Sequence, residues 1–191
     1  MNFTSPPQWT DGLWLLFGVY WLASAFKRKK TKQRETILQR FGYTLPLGLG
    51  LYFLYQPHLL YGWLRGRFLP VGPVGGWLGV ALTGGGIAVA VWARWHLGTN
   101  WSGVVTLKEG HELIRTGPYR SIRHPIYTGI LLALLGTAIT IGEVRALLAV
   151  AIAGFSFYIK ARREELFLSQ EFGRGFADHK QRTGMFLPRF S

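Results

Sequence analysis

The residues with the most chemical potential in this 191-residue chain fall in three short clusters: His111-Glu112-Leu113-Ile114, the stretch GPYRSIRHPIYTG from Gly117 to Gly129, and Lys160 through Glu165. The middle stretch packs two prolines, two arginines, a histidine and two tyrosines into thirteen residues and ends where a long apolar run begins. Carboxylates and tyrosine faces recognise cations, Arg and Lys orient anions, and His is suited to proton transfer near neutral pH. A rigid, ring-rich polar loop leading straight into an apolar helix is costly, because buried backbone and charge must all find partners. The stretch reads as the edge of an active site.

Each residue also has an ordinary reading. His111 fits a solvated loop, Glu164 and Glu165 fit a helix start where the dipole favours negative charge, and Arg162 and Arg163 fit charges that set membrane topology. What joins them is the arrangement of the elements around them.

Composition sets the frame. The chain is 49% hydrophobic, with 8 Trp, 8 Tyr and 13 Phe, and its charges are grouped in blocks instead of lining amphipathic faces. That pattern belongs to a membrane protein. The absence of cysteine excludes disulfides, thiolate metal sites and a cysteine nucleophile, and no metal centre is expected. A formal charge of +13 raises nucleic-acid binding, but most Lys and Arg flank apolar runs, where they set topology and attract anionic lipid headgroups. Membrane lipids are the expected partners, and nucleic acid is not.

The expected fold class is all-α: a polytopic integral membrane protein of about five transmembrane helices, with a cytosolic cofactor pocket formed by the C-terminal half. The first span runs from about Trp9 to Phe26. It is read as a retained helix, not a cleaved signal, and it stops at Lys27-Arg28-Lys29-Lys30. Seven cations in the fourteen residues from Lys27 to Arg40 put that loop in the cytosol and the N-terminus outside. A second span, about Phe41 to Leu64, contains Pro46 and Pro57, which should kink or shorten it. Arg65 to Gly76 reads as an external loop. The third span, about Trp77 to Trp95, carries Gly84-Gly85-Gly86, read as a close-packing surface and not as a phosphate loop.

Residues 96–125 then read as an ordered cytosolic segment. Two apolar runs, Ile126 to Gly142 and Val144 to Lys160, form a tight helical hairpin, and the basic C-terminal segment lies inside. The external loops hold only Arg65, Arg67 and Arg145. One integrated domain is expected, divided into spans one to three (1–95) and a catalytic half (96–191). This topology brings the three clusters to one cytosolic neighbourhood, with lipid on one side and water on the other.

At these residues the chain resembles the isoprenylcysteine carboxyl methyltransferases and their prokaryotic membrane relatives. The likeness covers roughly His96 to Pro188: LGTNWS, GHELI, GPYRSIRHPIYTG, EELFLSQEFG and RTGMFLP. The resemblance implies methyl transfer from S-adenosyl-L-methionine to a lipophilic substrate entering from the bilayer, such as an isoprenylcysteine-like or small lipophilic acid. By position, His111, Glu112, Leu113, Ile114, Tyr119, His124, Pro125, Ile126, Tyr127 and Glu164 would contact the cofactor. Lys160 and Arg123 would orient a substrate carboxylate.

If the substrate were an amine, as in phospholipid N-methyltransferases, a base would be needed, and His124 is the first candidate. Further readings are an NADPH-dependent sterol-type reductase and a lipid-binding membrane sensor. The short form implies a multi-pass protein of a prokaryotic inner membrane. The chain departs from the family where Phe176 and His179 replace two tyrosines, which bears on substrate identity more than on the cofactor.

Overall fold

The computed structural model describes residues 5–25, 31–56 and 62–189. Five long helices, α1 (Pro6–Ser24), α2 (Ile37–Tyr55), α3 (Pro73–Leu97), α4 (Pro125–Ile141) and α5 (Val144–Phe172), run back and forth, and a short α6 (Arg174–Arg182) follows. Their starts are written locally. Ser5 and Thr36 open α1 and α2 as capping boxes with Gln8 and Gln39, while Pro73 and Pro125 occupy the first turns of α3 and α4. Gly142, at φ +71°, ends α4, and α5 begins two residues later.

α3 packs along α4 through a seam of small residues. Gly79, Thr83, Gly86 and Ala90 face Gly129, Ala133 and Gly136, so closely that a Cβ on Gly129 would stand 2.6 Å from the Ala90 nitrogen. The hydroxyl of Thr83 donates across the seam to the Ala133 carbonyl at 3.2 Å. Of the three consecutive glycines, only Gly86 faces this seam. Each helical residue turns the chain about 100°, so Gly85 points into open space and Gly84 meets only Leu13.

At the end of the bundle holding residues 62–73 and 142–144, Arg145 is buried. It donates to the carbonyls of Phe53 and Leu54 and to Glu143 at 2.6 Å. It therefore caps α2 and is not a free external-loop charge. α2 continues past Pro46 and closes at Tyr55, short of the Leu64 expected from hydropathy. Pro57, like Lys27 to Lys30, lies outside the described residues.

The opposite end differs from a purely helical picture. Strands β1 (Thr31–Arg34) and β2 (Thr106–Lys108) pair antiparallel and join the α1–α2 connection to the segment after α3. Strands of four and three residues leave too little alternation to be read from sequence. α5 also continues twelve residues past Lys160, to Phe172, so Glu164 and Glu165 lie within a helix and not at its start. α3 with its following turn (Pro73–Asn100) and α5 are long and apolar enough to cross a membrane, and α4 is a shorter apolar helix. Leu15, Leu16, Val19, Leu45 and Leu49 stand exposed on α1 and α2.

Candidate active site

The loop before α4 is built from backbone constraints. Gly117 has φ +55°, and a Cβ there would run into the His96 ring. A 3-10 turn (Gly117–Arg120) then buries Pro118 and Tyr119. The C-terminal segment straps this loop in place. The Arg123 and His124 N–H groups donate to the Gly184 and Met185 carbonyls at 2.9 and 3.1 Å, Gly184 N–H returns a bond to Ser121 at 3.1 Å, and Thr128 donates to Phe186 at 2.7 Å.

Two neighbouring carboxylates on α5 meet this loop differently. Glu164 accepts from the Tyr127 hydroxyl at 2.6 Å and lies 3.4 Å from His124 Nδ1. Glu165 accepts from Arg123 Nε at 2.7 Å, pairs with Lys180 at 3.0 Å, and lies 3.6 Å from His124 Nε2. His124 thus sits between two acids. Burial opposes its charged form, but the hydrogen bonding and charge of Glu164 and Glu165 outweigh burial and leave its pKa raised. Burial, reinforced by the Glu164 charge against that of Arg94, raises the Tyr119 phenol. The rings of His124, Tyr127 and Phe157 lie nearly parallel in sequence, at 5.6 and 4.8 Å between successive centroids.

These groups open onto a cavity of about 510 Å³. Its polar wall includes His111, Glu112, Tyr119, His124, Lys160 and Glu164, joined by Leu113, Ile114, Ile126, Tyr127 and Arg123. Pro125 is the one sequence-predicted site residue that does not line it; it is fully buried in the first turn of α4. A second wall is apolar: Trp14, Phe17 and Trp21 of α1, Leu47 and Leu51 of α2, and Leu134 of α4. The first two helices, which carried no usable motif, therefore supply much of the lining. Large apolar side chains there look like ordinary lipid-facing residues in sequence.

α6 closes one side of the cavity with Phe176 and His179, the two residues that replace the resembled family's tyrosines. Burial, then the charges of Arg115 and Arg123, lower the pKa of His179. Arg123 is heavily engaged: besides Glu165, it donates to the Thr183 carbonyl and to that of Lys180 at 3.3 Å. Lys160 Nζ donates to the Gly103 carbonyl at 2.9 Å and faces the Tyr43 and Tyr127 rings.

Fold and site together define a helical bundle with one cavity wall polar, at the end where the loops meet, and the other apolar, among the helices. The chain belongs to the phospholipid methyltransferase family, whose profile matches residues 74–175. It is similar to a probable protein-S-isoprenylcysteine O-methyltransferase of rice (Oryza sativa subsp. indica), 34% identical over 82 residues that cover 42% of this chain and 43% of the relative. It is also similar to the cobalt-zinc-cadmium resistance protein CzcN of Cupriavidus metallidurans, 36% identical over 86 residues, 44% of this chain and 39% of that one. The chain thus spans less than half the length of these curated relatives.

Among solved structures, the eukaryotic intramembrane Ras methyltransferase ICMT shares the fold, with a TM-score of 0.53 at 23% identity, covering 77% of this chain and 52% of that one. The family resemblance carried by RHPIYTG and EELFLSQEFG is borne out at this level.

Proposed function

We propose that the chain is an S-adenosyl-L-methionine-dependent membrane methyltransferase that O-methylates the carboxylate of a lipophilic substrate. The observation that carries this reading is the two-walled cavity. Its polar wall offers Glu164 and tyrosine faces for a cationic ligand, with Lys160 for an anion, and its apolar wall can hold a hydrocarbon chain. The donor set fits the cofactor: Glu164 suits an ammonium group, Tyr119 and Tyr127 suit a positive sulfur, and the backbone at Leu113 and Ile114 suits polar edges. When bound, that cofactor supplies a methyl group activated by the adjoining sulfonium.

The protein's share is positioning. A carboxylate of reference pKa about 4 is ionised near neutral pH, so no base is required. Lys160 orients it through one oxygen and leaves the other free to attack. The apolar wall anchors the chain and keeps water out, and orientation of this kind can contribute ~7 kcal/mol or more. Arg123, committed to Glu165 and to carbonyls of the C-terminal segment, holds the strap that shapes the site.

A second reading, phospholipid N-methylation, has its own support in the family description and in His179, a cavity histidine whose lowered pKa keeps it neutral. His124, flanked by two acids that favour its protonated form, is less available to accept a proton. For the membrane we propose five spans, the N-terminus outside and the cavity end cytosolic, in a prokaryotic inner membrane. In support, fifteen of the eighteen Lys and Arg among the described residues belong to the cavity end of the bundle, and the opposite end holds Arg65, Arg67 and Arg145.

The test is thermal stabilisation of detergent-purified protein by S-adenosylhomocysteine and by NADPH, followed by incubation of lipid extracts with labelled methyl donor. Stabilisation by S-adenosylhomocysteine and a base-labile labelled lipid are expected. Stabilisation by NADPH alone would instead identify a sterol-type reductase, and a base-stable labelled headgroup would favour N-methylation.

A further inference from the structure

Lys160 owes part of its place to residues outside the matched family region, Tyr43 and, behind it, Glu35. Its Nζ lies 5.4 Å from the ring centroids of both Tyr43 and Tyr127, and it donates to the Gly103 carbonyl at 2.9 Å. Each of the two tyrosine hydroxyls is committed to a carboxylate: Tyr127 to Glu164, and Tyr43 to Glu35. Donation to an anion fixes a ring's orientation and enriches its face, which favours a cation above it.

Glu35 is the common origin of the contacts on one side of this lysine. Its side chain is 1% exposed, an unusual place for a carboxylate in the basic connection between α1 and α2. The oxygen that takes the Tyr43 hydroxyl also accepts the Val105 N–H at 3.2 Å, and the Glu35 N–H donates to the Val105 carbonyl at 3.1 Å. One side chain therefore orients the Tyr43 ring and pins the backbone two residues from Gly103, the carbonyl that receives Lys160. Arg40 approaches the same oxygen at 3.8 Å, and the second oxygen has no hydrogen-bond partner among the described residues.

We propose that Glu35 is a positioning residue: acting through Tyr43 and residues 103–105, it holds the Lys160 ammonium at the cavity wall. What the lysine then orients, a substrate carboxylate, rests on the methyltransferase reading. The holding does not. The N-terminal half in this way enters the site electrostatically as well as by lining it.

The full chain in detergent is treated with an acetylating N-hydroxysuccinimide ester, and each lysine is followed by mass spectrometry. Glu35→Ala frees both supports, and acetylation of Lys160 relative to Lys180 should rise about tenfold, the factor that accompanies loss of one charged hydrogen bond. Glu35→Gln keeps the acceptor oxygen but not the charge, and should raise Lys160 acetylation by less than Glu35→Ala does. Tyr43→Phe keeps the ring and the fold but cuts its tie to Glu35, and it should raise Lys160 acetylation by a smaller factor.

Unchanged Lys160 reactivity in Tyr43→Phe, or a rise shared equally by Lys180 and Lys32, would overturn the positioning. So would a Gln variant that behaves like Ala. S-adenosylhomocysteine stabilisation of the same samples reports separately on the methyltransferase reading, because the acetylation measurement needs no cofactor.

Discussion

The Tyr127 hydroxyl donates a 2.6 Å hydrogen bond to Glu164, 37 positions along the chain, and so joins the first turn of α4 to the middle of α5. The two sequence motifs that carry the family likeness meet at this bond. Glu164 is thereby held with its carboxylate at the cavity wall, where the proposed function gives it a cationic ligand group.

Glu164→Gln should weaken S-adenosylhomocysteine binding by about tenfold or more, the range for losing the charge from one ionic hydrogen bond. Glutamine still accepts from Tyr127 but gives up the charge beside His124, so the melting temperature should fall only modestly. Isothermal titration calorimetry beside a melting curve separates the two effects, and full-strength binding by the variant would remove Glu164 from the site.

His124 makes stability depend on pH in a defined direction. Its pKa is raised in the folded protein, so its pairing with Glu164 and Glu165 contributes fully below the unfolded value of about 6.5. That contribution is lost as pH rises through the higher folded value. Melting temperatures of the wild type should therefore fall over this interval above 6.5, and those of His124→Asn should fall less. Parallel curves for the two proteins would contradict the assignment.

The α3–α4 seam predicts opposite outcomes for two similar changes. Gly129→Ala places a methyl 2.6 Å from the Ala90 nitrogen and the Gly86 carbonyl, and should cost about 1–3 kcal/mol or more. Gly85→Ala meets nothing within 4 Å and should be neutral or slightly stabilising, since alanine is the better helix former. Thermal unfolding in one detergent compares them directly.

Trp14 lines the apolar wall and is fixed by an indole N–H bond of 2.9 Å to Thr137. Trp14→Ala should lengthen the space available to a hydrocarbon chain and shift methyl acceptance toward longer lipophilic acids, with S-adenosylhomocysteine affinity unchanged. Competition between acids of graded length, read by mass spectrometry of the esters, measures the shift.

The helix order and the gathering of His111 to Ile114, Gly117 to Gly129 and Lys160 to Glu165 were legible because proline, glycine and hydropathy act locally. The division of labour between Glu164 and Glu165 was legible only through the family resemblance, which singled out Glu164, and not from the residues themselves. They are adjacent in sequence, but a helix turns about 100° per residue, so one faces Tyr127 and the other Arg123 and Lys180. Arg123, expected at the substrate, looks the same in sequence whether its guanidinium is free or filled by Glu165 and Thr183. Arg145 reads as one more loop charge until its partners, the last carbonyls of α2, are in place. Glu35 is hidden for a related reason: a single acid in a basic connection carries no pattern, and its meaning comes from Val105, 70 positions away, and Tyr43, about two helix turns on.

The strap from Thr183 to Phe186 also sets an order of events during synthesis. The loop at 121–124 and the start of α4 are bonded by carbonyls and an N–H that leave the ribosome some sixty residues later. The nascent chain can insert and pack its long helices while this edge of the cavity is still missing. Synthesis of the strap, and not insertion of the helices before it, is then the moment at which the site closes.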